Sequence, residues 1–135
     1  MNRRAALPLT LLALASLQAC TPTEPDVTDR SDFAPSYSGI RTVLLDGDLV
    51  NFHVTMRGAR TQADVEDYAH CAAAQYALIR GANFTRHVRT SVAQSGGNWR
   101  GDAVYTISKD LPRGSSTIDA EVTVRDCGAL GIPTI

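Results

Sequence analysis

The sequence predicts an α+β domain in which one helix packs on one face of a mostly antiparallel sheet, in the order β-β-α-β-β-β. Three observations carry that prediction. Residues 61–81 form one capped helix with an apolar stripe. Residues 50–56 alternate apolar and polar side chains with a period of two. Short alternating runs with turn residues between them flank the helix, and a single helix over an antiparallel sheet is the two-layer way to bury both apolar faces.

The helix comes first because its ends are marked. Thr61 supplies a hydroxyl for a free N–H of the first turn, and Asp64 stands three residues on, as in a capping box. Asp64, Glu66 and Asp67 oppose the positive end of the helix dipole and Arg80 the negative end, while Gly81 suits a left-handed stop. Val65, Tyr68, Ala69, Ala72, Tyr76 and Ile79 recur at three- and four-residue spacing. The alanines make this face thin, so a sheet can approach closely and little cavity is left.

Upstream, residues 40–56 read as a hairpin turning at Asp46-Gly47-Asp48. Val50, Phe52, Val54 and Met56 form the face expected to meet the helix, with Val43 and Leu45 beside them. Leu49, Asn51, His53 and Thr55 form the other face. Downstream, residues 83–92 form a third strand in which Phe84, Arg86, Val88, Thr90 and Val92 share one face and Thr85, His87, Arg89 and Ser91 share the other. Residues 94–102 read as a glycine-rich loop carrying the only tryptophan, Trp99, and residues 103–108 as a fourth strand. Residues 117–124 alternate Ile118, Ala120, Val122 and Val124 with polar partners and read as a fifth strand. The end, CGALGIPTI, has no period and reads as a packed tail.

The first twenty residues stand apart from this domain. Asn2-Arg3-Arg4 is a basic start, and residues 5–16 are apolar but too short for a comfortable membrane span. The run closes on Leu17-Gln18-Ala19-Cys20, which resembles the lipobox of bacterial lipoproteins. The resemblance implies a signal peptide over 1–19 and a Cys20 that carries a diacylglycerol, with the new amine often acylated too. Two or three acyl chains hold a protein stably to a bilayer. Thr21 lacks the acidic residue that retains many such proteins in the inner membrane, so the resemblance implies a place at the outer membrane facing the periplasm. An ordinary signal peptide with a chance cysteine is the alternative. Residues 20–38, rich in Pro, Ser, Thr and Asp, read as the lipidated cysteine and a flexible tether spanning about 23 Å at roughly 5–6 Å × √n. Phe33 and Tyr37 are the tether residues able to dock on the domain, which occupies 39–135.

Charge narrows the function. The leader removes two of the 13 basic residues and none of the 14 acidic ones, leaving 11 against 14. That balance argues against general nucleic-acid binding. Residues 54–58, the Thr61-Gln62-Ala63-Asp64-Val65-Glu66-Asp67-Tyr68 helix start, Gly81 and Phe84 are similar to a group of small uncharacterised lipoproteins of Gram-negative bacteria. The similarity covers about residues 50–90 and departs at Cys71 and after Val92. It implies a location and a fold but no reaction.

The chemistry-bearing residues form no strong motif. With Cys20 lipidated, Cys71 and Cys127 remain, and an even pair in an oxidising compartment points to a disulfide. His70 falls on the solvent side of the helix. His53 and His87 share the predicted open sheet face, either as a possible two-histidine site or as surface residues; no ligand spacing marks a metal and no cofactor motif is present. Asp119 and Glu121 would share a strand face, where paired carboxylates can serve acid–base chemistry or simply be solvated. Ser95-Gly96-Gly97 lacks the context of a nucleophile elbow or a phosphate loop. Trp99 either anchors a partner or folds over a sheet edge.

The resulting expectation is a non-enzymatic structural or interaction module on an anchored periplasmic lipoprotein. It would face the bilayer through acylated Cys20 and contact an envelope protein or cell-wall component, with His53, His87, Arg89 and Trp99 as the possible interaction face. A small apolar ligand between helix and sheet is the second reading, and a hydrolase using His53 or His87 with a carboxylate the third.

Overall fold

The computed structural model describes residues 33–135. The leader, Cys20 and most of the tether therefore lie outside the described residues. Seven elements follow one another: β1 (Ser36–Asp46), β2 (Leu49–Arg57), α1 (Gln62–Ile79), β3 (Phe84–Ser95), β4 (Asn98–Ser108), β5 (Thr117–Asp119) and α2 (Ala120–Leu130). The strands form one sheet in the order β1-β2-β4-β3-β5, and each neighbouring pair is antiparallel. The domain is α+β as expected, with a second helix that the sequence reading took for strand and tail.

Helix α1 begins where its caps require. The Thr61 hydroxyl accepts from the Ala63 N–H at 3.3 Å, and Asp64 reaches back to accept from the Arg60 N–H at 2.7 Å. The chain leaves the helix through Arg80 and through Gly81 at φ +71°. Val65, Tyr68, Ala69 and Ala72 are buried as the stripe predicts, but so are Cys71, Ala73, Ala74 and Ala77. Burial extends around the helix because α2 covers its second flank. Ile79 ends up exposed.

The core joins α1 to the face of β2 that carries Val50, Phe52, Val54 and Met56, each 0–1% exposed. Phe52 stands edge-on to Tyr76 of the helix and to Tyr105 of β4, at 5.7 and 5.9 Å between ring centres, an arrangement favoured by the ring quadrupoles. At the other end of the sheet Tyr37 meets Tyr68 at 4.7 Å. The domain thus starts before residue 39: Ser36 already pairs with Arg57, and the Arg60 guanidinium lies 3.7 Å over the Phe33 ring.

Several elements differ from the expectation. In the hairpin, Leu44 lies opposite Val50 and Thr42 opposite Phe52, so Val43 turns to the other face. A register shift between Leu44 and Asp46 places Leu45 outside the pairing. The glycine-rich stretch expected as a loop is a tight turn at residues 96–97 between two long strands, and Trp99 belongs to β4, half-buried against the core. The expected fifth strand lasts only from Thr117 to Asp119. There the Asp119 carboxylate accepts from the Val122 N–H at 3.0 Å and starts α2. Ala120 and Cys127 are buried seven residues apart, two turns of one helical face, and Gly131 at φ +70° closes the helix. Asp119 is therefore a cap and Glu121 a first-turn residue, not two acids on one strand face.

The second helix explains the disulfide. Cys71 of α1 and Cys127 of α2 are bonded, with 6.0 Å between their Cα atoms. The bridge staples α2 to the side of α1, and both helices lie on the same side of the sheet.

Candidate functional site

With both helices on one side, no helix among the described residues covers the opposite sheet face, and strand register decides what it shows. Three rows of cross-strand partners run over it. The first is Arg41 (β1), His53 (β2), Asp102 (β4) and Ser91 (β3); the second is Gly39, Thr55, Arg100 and Ala93; the third is Val43, Asn51, Val104 and Arg89. Residues directly opposite in a ladder share a face, so these rows lie side by side.

Asp102 is the hub. One carboxylate oxygen accepts from Asn51 Nδ2 at 2.8 Å and from Arg89 Nη1 at 3.3 Å, and the other lies 3.7 Å from His53 Nδ1. Asn51 is 6% exposed, and its Oδ1 has no hydrogen-bond partner among the described residues. A charge-assisted bond to the buried amide fixes the carboxylate in place, which in turn orients Arg89.

Beside the hub runs an open groove of about 610 Å³, lined by Gly39, Thr55, Ser91 and Ala93 together with Arg41, His53, Arg100 and Asp102, among others. Four small residues in two adjacent rows make its floor low. The Arg41 and Arg100 side chains flank it, and neither has a carboxylate partner among the described residues. The arrangement can bind, but it assembles no catalytic triad. Asp102 sits between His53 and Ser91 in the row, so the acid separates the base from the hydroxyl instead of orienting the base towards it.

His87 is not on this face. A bulge leaves Val88 without a partner, since His87 pairs with Tyr105 and Arg89 with Val104. One extra residue reverses the alternation. Thr85 and His87 therefore face the helices, with Thr85 fully buried and the His87 ring 5.1 Å from Tyr105, while Arg89 and Ser91 face the groove. The expected pairing of His53 with His87 is overturned.

His87 instead lines a smaller pocket of about 190 Å³ with Glu66, Asp67, His70, Thr90 and Tyr105, its Nε2 2.8 Å from Thr90 Oγ1. His70 thus faces the sheet edge and not open solvent. Burial holds its pKa below 6.5, with Asp67 opposing and His87 adding to the shift. Burial likewise raises Asp67 and Tyr105 above their ordinary values. No group of three or more histidine, cysteine or acidic side chains among the described residues is placed to hold a metal ion.

Of the four residues expected to form an interaction face, His53 and Arg89 lie on it, joined by Asp102. His87 and Trp99 lie on the helix side. Asp102, Arg41 and Arg100 were missed. No local sequence signal marks them, because their proximity is a matter of register across four strands.

Fold and site together define a two-layer α+β domain in which a sheet face that neither helix covers bears a cationic groove. The chain belongs to the family described as the YNQ4 C-terminal domain, whose model matches residues 37–131. It is also 33% identical over 85 residues to an uncharacterised 26.9 kDa protein in the nqo8 5' region of Paracoccus denitrificans. That match takes in 63% of this chain and 33% of the Paracoccus protein, so the chain spans about a third of the length of the curated relative it matches. No solved structure matches significantly.

Proposed function

We propose that this protein is a membrane-anchored periplasmic lipoprotein. Acylated Cys20 would hold it at the cell envelope, at the outer membrane, and its domain would act without catalysis by docking an envelope protein or cell-wall component. The anchoring rests on the sequence from Arg3 to Cys20. No helix among the described residues is long and apolar enough to cross a membrane. The docking role rests on one observation: neither helix covers the sheet face on which Asp102 gathers Asn51, His53 and Arg89 beside the groove.

The apolar-ligand reading has less support. Helix and sheet approach so closely that a methyl group at Gly101 would fall 2.8 Å from Val65 Cγ1. The hydrolase reading also has less support: the hydroxyl that meets a histidine is Thr90, 2.8 Å from His87 Nε2, and among the described residues no carboxylate is hydrogen-bonded to that ring to orient it as a base.

Two experiments test the proposal. Cys20→Ser should release the protein into the soluble periplasmic fraction or leave it unprocessed; identical fractionation and cleavage would refute the anchor. His53→Ser with Arg89→Ser should keep the thermal transition and lose the partner recovered by cross-linking in intact envelopes. Unchanged recovery would refute the face.

A further inference from the structure

The groove has a feature that a merely solvated face does not need. Asp102 already has its partners: Asn51, Arg89 and His53. Among the described residues Arg41 and Arg100 are left without a carboxylate, Arg41 on β1 and Arg100 on β4, with Thr55 and His53 of β2 between them and the small residues Gly39 and Ala93 on either side in the second row. Two strand spacings and one pleat separate their positions, about 12 Å between Cα atoms. Their long side chains can lean towards each other over Thr55, beside the His53 ring. Two guanidiniums over one groove repel each other until an anion lies between them, and the planar fork of arginine matches two oxygens of a carboxylate or phosphate.

We infer that this groove is an oxyanion-binding site. Its ligand carries two anionic oxygen groups, one for Arg41 and one for Arg100, with His53 able to donate to the same ligand from the first row. The inference deepens the reading of the open face as the working surface and does not depend on the lipid anchor. Carboxylate and phosphate present the same chemistry to a guanidinium. Glutarate represents the dicarboxylates and pyrophosphate the phosphoesters.

The test is calorimetric titration of the detergent-solubilised full chain, disulfide intact, with glutarate and, separately, with pyrophosphate. At least one should bind, with affinity falling as salt rises. The Arg41→Ala, Arg100→Ala double variant should raise Kd at least tenfold with its melting temperature unchanged, because both side chains are exposed and bond to none of the described residues. A third variant, Arg113→Ala, removes a cation away from the groove and should leave Kd within about twofold.

Binding of glutarate alone assigns the site to carboxylates, and binding of pyrophosphate alone to phosphoesters. Absence of binding by both overturns the inference, as does equal binding by the double variant or equal loss with Arg113→Ala. If both probes fail while His53→Ser with Arg89→Ser still abolishes partner cross-linking, only the oxyanion site falls. If both probes bind but that variant keeps the partner, only the docking role falls.

Discussion

Gly101 is where the two layers touch. It sits in the middle of β4, opposite Val54 on one side and Val92 on the other. A Cβ built there meets Val65 Cγ1 of the helix at 2.8 Å and Val54 Cγ2 at 2.9 Å. Carbon atoms in good contact lie about 3.5–4.0 Å apart, so both neighbours would have to retreat. They have little room, since Val65 and Val54 are 0% and 1% exposed. Forcing a methylene-sized group into a packed core costs about 1–3 kcal/mol. Against this, alanine loses less backbone freedom on folding than glycine, a gain of about 0.4–1 kcal/mol.

Gly101→Ala should therefore destabilise by about 1–2 kcal/mol once that gain is deducted. In a domain of this size each kcal/mol lowers Tm by about 4–8 °C, which differential scanning calorimetry resolves. Val65→Ala opens the space the new methyl needs. It costs stability alone, but the Gly101→Ala, Val65→Ala pair should lose less than the two separate losses combined, a coupling that the double-mutant cycle reads directly. Gly101→Ala melting at or above the wild-type temperature, or strict additivity in the cycle, would refute the claim that helix and sheet meet at this glycine.

The other predictions concern the staple and the small pocket. Replacing Cys71 and Cys127 by alanine removes a bridge spanning 56 residues of chain and should lower stability by about 4 kcal/mol by the chain-entropy relation. A denaturant midpoint equal to that of the wild type would contradict it. His70 has a folded pKa below its unfolded value, so the unfolded chain takes up the proton first. Stability should then fall as pH drops from about 6.5 through the folded pKa. His70→Gln should flatten the pH dependence of Tm over that window. An undiminished slope would assign the effect elsewhere.

What the sequence disclosed is what depends on neighbours along the chain. Thr61, Asp64 and Gly81 set the ends of α1 through contacts within four residues. The apolar face of β2 follows from strict alternation of Val50, Phe52, Val54 and Met56. Helix α2 was misread because Ala120, Val122 and Val124 alternate like a strand. The competing local signals, a cap at Asp119 and a left-handed stop at Gly131, are outweighed by that alternation, and the burial of Ala120 with Cys127 follows only from packing against α1. The Asp102 hub was illegible for a different reason. Its ligands come from β2 and β3, 51 and 13 residues away, and only the register of three strands brings them together.

The bulge at Val88 shows how much rests on one residue of register. The segment Thr85-Arg86-His87-Val88-Arg89-Thr90-Ser91 has no hydrophobic alternation to fix its faces, so nothing in it announces an extra residue. Yet Val88 lets Thr85, fully buried, and Val92, packed against the core, point to the same side. An unbroken strand would place positions 85 and 92 on opposite faces, seven residues being an odd number. Deleting Val88 leaves them six residues apart, an even number, so an unbroken strand then keeps both on the helix side, with His87 still opposite Tyr105 and Arg89 still opposite Val104 on the groove side. Deleting Thr90 also leaves six residues, but the unbroken strand then carries Val88 to the groove side and drives Arg89 under the helices, away from Asp102, and stranding a charge in that way costs about 3–5 kcal/mol. Val88→Ala keeps the extra residue and trims a side chain that is 54% exposed, which should change stability by no more than about 0.5 kcal/mol. The two deletions shorten the strand equally and differ in which residues keep their faces. The Val88 deletion and Val88→Ala should keep the thermal transition, and the Thr90 deletion should abolish or severely lower it. A Thr90 deletion melting within a few degrees of the wild type would mean that Arg89 is not locked to the groove side of β3, and the division between the His53 face and the His87 pocket would fall with it.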